Sequence, residues 1–272
     1  MLLTAIAFIL LYFQFSHEGL YYSDDVGYSA LAARIWHGTF DITANGHTFI
    51  HRPGLFAPVA LIYSTFGVNY FTYTLWPLIC TIGCAILIYW ASKKDIEAAF
   101  ALILLVLNFY FLYFVNFLYP DNVVAFFALA AAALYYTAKK APSASKSWKG
   151  IAFMVCLFVA YLAKETAALV LPFFILSAIY AWFKNKSLRH FWIAAAATAL
   201  FLGSVYLLYY YIETGNPFFR LTEMEEANLS YSNYVTNPHR AYFKRLTWGP
   251  IAAIISTGTF IPLVLMMGGK RC

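Results

Sequence analysis

Residues 23–58 read SDDVGYSALAARIWHGTFDITANGHTFIHRPGLFAP and form the first long polar interruption in a chain that is otherwise largely hydrocarbon. The stretch holds three of the chain's twelve acidic residues, two of its eighteen basic residues and three of its six histidines. Ionisable side chains between apolar segments are costly in a membrane protein unless water or a charged ligand meets them. We therefore expect this stretch to carry half of an active site, which the apolar segments hold at a membrane surface.

The composition is that of an integral membrane protein. The 272 residues are 62% hydrophobic and 11% charged, with a mean hydropathy of +0.68, whereas soluble domains are about 45–50% apolar and about 25% charged. The residues that give the net charge of +6 lie mostly in the loops between apolar runs. We therefore expect membrane lipids as partners and no nucleic acid. The four cysteines are too few for a disulfide framework and lack metal-type spacing.

The apolar runs predict an all-α, polytopic transmembrane bundle of about eight spans. The spans are expected at Met1–Phe15, Tyr70–Ala91, Glu97–Asn116, Asn122–Ala138, Trp148–Ala163, Thr166–Phe183, His190–Ile212 and Pro250–Met267. Leu55–Gly67 is apolar but short for a span, so we expect an interfacial or half-inserted helix there. Residues 1–272 then form a single transmembrane domain, with a first large loop at 16–69 and a second at 213–249.

The distribution of Lys and Arg predicts the orientation. If the first large loop lies outside, eleven of the eighteen basic residues fall on the opposite side, all in short loops or the C-terminal tail. Basic residues favour the cytoplasmic side, so the first loop is expected to face the periplasm or exterior of a plasma (inner) membrane. Counting Leu55–Gly67 as a full span would put most of the basic loops on the wrong side.

Asp24 and Asp25 open a short amphipathic helix, Val26–His37, which we expect to lie on the membrane. Three side chains share one face of this helix: Tyr28, Leu31 and Ile35. The two aspartates either cap the helix and complement its dipole or serve the chemistry of the site. Adjacent carboxylates raise each other's pKa unless a cation is near, and for such a pair at the lipid boundary we favour the second interpretation.

Arg52 precedes Pro53 and Gly54, which force an extended bend, so its side chain is expected to be aimed and not buried in a helix. A guanidinium at a lipid interface suits a phosphate because it offers paired donors in a fixed fork; the alternative is interfacial snorkelling. His51 either binds a metal or caps the loop, and a lone histidine favours the cap.

Three more charged residues stand at later span junctions. Asp121 follows Pro120 in an outside turn, where it either starts a helix or belongs to the site. Lys164 and Glu165 have almost no loop to occupy, and a charge at membrane depth costs about 2.5–3.5 kcal/mol on insertion scales. We expect each to pair with another chain segment, with Asp24, Asp121 or a ligand anion as the partner of Lys164.

Four motifs, taken in chain order, resemble those of the GT-C membrane glycosyltransferases. The likeness is greatest to the protein O-mannosyltransferase-like branch (family 39), which includes the lipid A aminoarabinose transferases. The motifs are SDDVGYSALAARIWHGTF, HRPGLFAPVALIYSTFG, YPDNVVAFFALAAAALYY and AKETAALVLPFF. They cover about residues 1–185. Each is weak alone, but the ordered set at a matching topology is fairly specific.

The resemblance implies inverting transfer of a hexose or pentose from a polyprenyl-phosphate donor to a hydroxyl of a lipid, glycan or protein acceptor. By this likeness Asp24 is the catalytic acid of the first loop, with Asp25 as its neighbour, and Asp121 is the aspartate of the second loop. Arg52 and Lys164 bind the lipid phosphate, and Tyr28 and Glu165 join them in substrate binding. No cofactor is firmly indicated; a divalent metal at His51 stays open, and no metal ligand is assigned.

Relatives commonly have more spans and a soluble C-terminal domain, so a truncated or compact version of the family is expected. Two other functions stay open: a transporter or flippase of a lipid or small anion, and a catalytically inactive homologue.

Overall fold

The computed structural model describes residues 1–17, 19, 24–43, 48–69, 71–92, 95–139 and 142–223, and within them the chain is helical, without strands. The α-helices are α1 (Leu2–Ser16), α2 (Asp24–Trp36), α3 (Pro53–Phe66), α4 (Leu75–Ala91), α5 (Asp95–Leu107), α6 (Phe109–Tyr113), α7 (Asp121–Ala138), α8 (Ser143–Ala163), α9 (Leu171–Lys184) and α10 (Arg189–Thr214). Short 3-10 segments occupy Thr48–His51, Thr72–Thr74, Phe114–Asn116, Glu165–Val170 and Lys186–Leu188. The predicted all-α class is confirmed.

Five helical segments of the described residues are long and apolar enough to cross a membrane, or six if the bent α5–α6 pair is one span. The five are Thr72–Ala91, Asp121–Ala138, Ser145–Ala163, Glu165–Lys184 and Lys186–Thr214. Helix α1 has 15 residues and α3 has 14, fewer than the roughly 20 that a crossing needs. The predicted number of spans is therefore not confirmed, and the span expected at Pro250–Met267 lies outside the described residues, as do residues 224–249 of the second large loop.

The straight span expected over Glu97–Asn116 is broken at Asn108. Helices α5 and α6 are bent by 66° at this point. Asn108 has an extended backbone (φ −74°, ψ 101°), and its side-chain oxygen accepts a hydrogen bond from the backbone N–H of Phe111 at 3.1 Å. An asparagine side chain that caps a new helix in this way competes with continuation of the old one, which the apolar pattern alone does not reveal.

The core beside the candidate site forms where α2 packs on α3. Tyr28 and Tyr63 are fully buried, and the hydroxyl groups of Ser29 and Tyr63 form a hydrogen bond of 2.6 Å between the helices. The face of α2 that carries Tyr28 and Leu31 therefore packs against other parts of the protein and not against lipid, while the position of the helix at a membrane surface stays a prediction. The neighbouring face of α3 supplies the apolar partner that the lipid was expected to provide.

Candidate functional site

Arg52 is placed by the close approach of α3 to α8. A Cβ atom on Gly54 would lie 2.7 Å from the backbone nitrogen of Ala163 and 2.8 Å from the carbonyl oxygen of Val159, so only glycine allows this contact without displacing backbone. The Trp76 indole N–H donates to the Gly54 carbonyl at 3.2 Å and fixes the same turn. Since Pro53 begins α3, Arg52 stands at the helix entrance, next to the end of α8.

Arg52 and Arg220 share the carboxylate of Glu165. Arg52 Nη2 lies 3.1 Å from Glu165 Oε2 and Arg52 Nε lies 3.4 Å from Oε1, while Arg220 Nη2 lies 2.5 Å from Oε1. The side chains of Arg52 and Glu165 are 17% and 18% exposed, whereas Arg220 is only 2% exposed. The structure thus brings two guanidinium groups to one half-buried carboxylate.

Arg220 is held from several directions. Helix α10 ends at Gly215, whose φ of +73° lies in the left-handed region that glycine adopts most readily, and the chain turns back towards α8. Arg220 donates to the Tyr206 hydroxyl at 3.2 Å and to the Tyr161 carbonyl at 3.4 Å, and its guanidinium carbon lies 4.6 Å from the Tyr161 ring centroid. Burial lowers the pKa of Arg220, but Tyr206 and Glu165 outweigh it and the net shift is upward.

The Tyr28 hydroxyl accepts a hydrogen bond from Arg52 Nη1. Burial raises the pKa of Tyr28, although the positive charge of Arg52 opposes the shift, so the phenol stays neutral. Burial also lowers the pKa of Arg52, but Tyr28 and Glu165 together raise it above its ordinary value. Tyr28 is fully buried, and its hydroxyl contacts Arg52; its role in substrate binding stays a prediction.

Lys164 pairs with Asp121 across two helix junctions. The chain is extended at Lys164 (φ −160°, ψ 136°) after α8 ends, and this break directs Lys164 and Glu165 to different partners. Lys164 Nζ lies 2.8 Å from Asp121 Oδ1, with the two side chains 27% and 39% exposed. The expectation that both charges pair with other chain segments is confirmed.

Asp24 and Asp25 begin α2 on the same side of the site as Asp121. Burial raises the pKa of Tyr119, and the carboxylates of Asp24, Asp25 and Asp121 raise it further, so all three acids act on this one phenol. Asp25 is 1% exposed, and its Oδ1 accepts from the Val26 backbone N–H at 2.8 Å. Asp24 is only half-buried and also acts on Tyr28, one helical turn further along α2 on the same face.

Arg52, Glu165 and Arg220 together form what we call the guanidinium cluster. His51 is buried beside it. Its Nδ1 forms a hydrogen bond of 3.1 Å with the Tyr210 hydroxyl. Burial lowers the pKa of His51 to about 4, and the charge of Arg220 contributes in the same direction. Within the part of the chain that the structure describes, no three His, Cys, Asp or Glu side chains stand close enough to hold a metal ion.

Two apolar cavities lie between α8, α9 and α10. The larger has a volume of about 620 Å³ and the smaller about 420 Å³. They share three lining residues: Met154, Leu157 and Leu171. The smaller cavity is also lined by Tyr161 and Tyr206, which both contact Arg220. Hydrocarbon-lined space therefore leads up to the guanidinium cluster.

The fold and these contacts define a helical integral membrane protein with a charged site at the ends of its helices. The family model described as dolichyl-phosphate-mannose-protein mannosyltransferase matches residues 46–214, more than half of the chain. The protein therefore belongs to this family of membrane glycosyltransferases, as its motifs suggested. No curated protein and no solved structure matches the chain.

The matched range contains four of the seven candidate catalytic and substrate-binding residues, Arg52, Asp121, Lys164 and Glu165, and also His51. Asp24, Asp25 and Tyr28 precede it, and Arg220 follows it. Sequence reasoning missed Arg220 with its partner Tyr206, and Tyr210, which binds His51. In the sequence, Arg220 is one of four Lys and Arg residues in the second large loop, 213–249, and it resembles any interfacial basic residue.

Proposed function

We propose that this protein transfers mannose from a polyprenyl-phosphate donor, such as dolichyl-phosphate mannose, to a hydroxyl group of a protein, with inversion at the sugar's anomeric carbon. The proposal takes residues 1–272 as one transmembrane domain, in which residues 16–69 form the catalytic loop. The family description names this donor and this acceptor class. The positive-inside distribution of Lys and Arg supports a site on the exoplasmic face.

The observation that carries the proposal is that the guanidinium cluster contacts Tyr161 and Tyr206, two of the residues that line an apolar cavity. A lipid-linked sugar phosphate needs hydrocarbon surface for its tail and cations for its phosphate. Arg52 and Lys164 are partly exposed cations, and Arg52 shares Glu165 with Arg220, which contacts two tyrosines that line the smaller cavity. A guanidinium binds phosphate through paired N–H donors, and an ammonium group acts as a compact point charge.

In the proposed reaction, the acceptor oxygen forms a bond to the anomeric carbon of the sugar as the bond from that carbon to the phosphate oxygen breaks. The bonding electrons leave with the polyprenyl phosphate, and Arg52 and Lys164 stabilise the added negative charge. The proton of the acceptor hydroxyl passes to the carboxylate of Asp24, which acts as general base. Asp25 and Asp121 are proposed to hold the acceptor side of this site together with Asp24.

The test is sugar transfer by membranes that contain the protein, supplied with polyprenyl-phosphate mannose carrying a radiolabelled sugar. We expect label in the protein fraction, and we expect Asp24→Asn to lower the rate at least about 100-fold, the lower end of general-base contributions. Asp41→Asn is the matched control, because Asp41 is exposed and its carboxylate accepts hydrogen bonds from Thr43.

Full transfer activity in the Asp24→Asn protein would remove Asp24 from the mechanism. Movement of intact donor across proteoliposomes, without chemical conversion, would instead identify a transporter. Donor binding without either activity would identify an inactive homologue.

A further inference from the structure

The two arginines that share Glu165 differ in what can reach them. Arg220 is 2% exposed, while Arg52 is 17% exposed. A phosphate that enters from the surface can therefore meet Arg52 but is shielded from Arg220. Because only one of the two guanidinium groups that share this carboxylate is accessible, we expect the two arginines to have different roles.

Burial and additional partners indicate which arginine keeps the carboxylate. Arg220 Nη2 contacts Glu165 Oε1 at 2.5 Å from a side chain that is 2% exposed, so little water can replace this partner, whereas the contacts of Arg52, at 3.1 and 3.4 Å, come from a side chain that is 17% exposed. Arg220 is itself fixed by Tyr206 and Tyr161. Arg52 has a second partner in Tyr28, so its guanidinium can keep that hydrogen bond while it exchanges the carboxylate for another anion.

The charges of the cluster match such an exchange. Two guanidinium groups and one carboxylate carry a net charge of +1, because arginine stays protonated in proteins. A lipid-linked sugar phosphate is a phosphodiester with a single negative charge, so its binding neutralises the cluster. A buried charge that loses its partner is strongly disfavoured; Glu165 can therefore release Arg52 only if another cation retains it.

We propose that Arg220 is a positioning residue, which retains the Glu165 carboxylate while Arg52 exchanges it for the phosphate of the lipid donor. This inference rests on the proposed function, because it takes a polyprenyl phosphate as the incoming anion. In this arrangement Arg220 does not touch the phosphate. Its absence leaves Glu165 to pair with Arg52 alone, and the carboxylate then competes with the donor.

The test is a double-mutant cycle on the binding of farnesyl-phosphate mannose, a short phosphodiester of the donor class with a single negative charge, to the detergent-solubilised full chain. We expect Arg220→Met to weaken binding about tenfold, the scale of one charged hydrogen bond that changes partner. Adding Glu165→Gln to Arg220→Met removes the competitor and should restore most of that loss. In the wild-type background, where Arg220 already holds the carboxylate, Glu165→Gln should change affinity by less than about threefold, so the two effects are not additive.

An equal effect of Glu165→Gln in both backgrounds would overturn the inference, because it would mean that Arg220 acts on the phosphate directly. Unchanged binding by Arg220→Met would overturn it as well. Arg34→Met is the control for the loss of one positive charge, since Arg34 is exposed on α2 and lies outside the cluster. Should Arg220→Met fail to fold, Arg220→Lys takes its place in the same cycle, with a smaller loss and the same pattern of rescue expected.

This measurement separates the two proposals. Wild-type protein that binds farnesyl-phosphate mannose but transfers no sugar would contradict the proposed function and leave the cycle interpretable. Wild-type transfer combined with an additive cycle would contradict only the role of Arg220.

Discussion

Lys164 and Glu165 are neighbours in the chain, yet their ion pairs have different surroundings. The Arg52–Glu165–Arg220 cluster is largely shielded and includes a side chain that is 2% exposed, whereas Lys164 and Asp121 are 27% and 39% exposed. Breaking a buried pair leaves an uncompensated charge, but an exposed pair exchanges its partner for water. The comparison teaches that the cluster fixes the geometry of the site, while the Lys164–Asp121 pair is free to respond to ligand and solvent.

The largest expected effect is the loss of stability when Glu165, the carboxylate shared by the two arginines, is removed. Glu165→Ala leaves Arg220 buried without its carboxylate, so we expect a loss of about 3 kcal/mol in the free energy of unfolding, as for other broken buried pairs. Asp121→Ala removes the partner of Lys164 and should cost less than about 1 kcal/mol. Thermal unfolding of both variants in one detergent measures the difference, and equal losses would contradict the distinction between shielded and exposed pairs.

The next effect concerns the contact that brings Arg52 to Glu165. A Cβ on Gly54 would meet backbone atoms of α8 at 2.7–2.9 Å, and such overpacking costs about 1–3 kcal/mol. We expect Gly54→Ala to lose about this much stability and to lower sugar transfer, because α3 must move away from α8 and take Arg52 with it.

Gly27→Ala is the matched control for this prediction. Its Cβ would lie 3.4 Å from a carbon of the Phe49 ring, a tolerable contact, and alanine is favoured over glycine within a helix by roughly 0.5–1 kcal/mol. Unfolding midpoints that fall equally for the two variants would show that the close approach at Gly54 is not special.

A smaller effect appears as a pH dependence of the cluster. His51 has its pKa lowered to about 4, so it binds a proton more readily in the unfolded chain, and the stability it contributes is lost as the pH falls from about 6.5 to about 4. The groups near it are Tyr210, Arg220 and Glu165.

We expect the midpoint temperature of unfolding of the wild-type protein to fall as the pH is lowered from about 6.5 to about 4. In the His51→Gln protein this temperature should depend less on pH over the same range. His37→Gln is the control, because His37 is exposed at the end of α2. A wild-type slope that persists in the His51→Gln protein would assign the dependence to other groups.

The smallest expected effect is the dependence of these stability losses on salt concentration, which should differ between the two ion pairs. Lys164→Met should cost less than about 1 kcal/mol at 0.1 M salt and less still at 1 M, where the screening length is about 3 Å. The loss caused by Glu165→Ala should change little over the same range, because its partners are shielded from ions. Thermal unfolding at the two salt concentrations checks this, and parallel salt dependence of both losses would contradict it.

Part of the site could be predicted because hydrocarbon makes charges conspicuous. Lys164 and Glu165 interrupt an apolar run, so partners on other segments were expected, and the pairs with Asp121 and Arg52 have been found. The start of α3 after Arg52 was also readable, since a proline favours the first turn of a helix and keeps the preceding residue out of the helical region. The backbone at Arg52 (φ −116°, ψ 52°) is nevertheless not the extended one that was expected.

The remainder depends on three-dimensional packing that no local pattern encodes. Arg220 reaches Glu165 only because Gly215 turns the chain after α10, and its sequence neighbourhood gives no sign of that direction. The burial of Tyr28 depends on α3, which offers an apolar face that competes with lipid. Asn108 breaks a span because its side chain caps a helix. This effect of one residue is not visible in a hydropathy averaged over many residues.

Helix α10 has a consequence for handling the protein. Of an 18-residue window in its span Lys186–Thr214, only 11% is buried, compared with 39% for the corresponding window of Thr72–Ala91, yet α10 carries Tyr206 and Tyr210, which contact Arg220 and His51. A detergent that strips bound lipid acts directly on a helix that exposes so much of its surface. Activity should therefore be lost during purification before helix content falls, and lipid nanodiscs are the preferable preparation for enzymology.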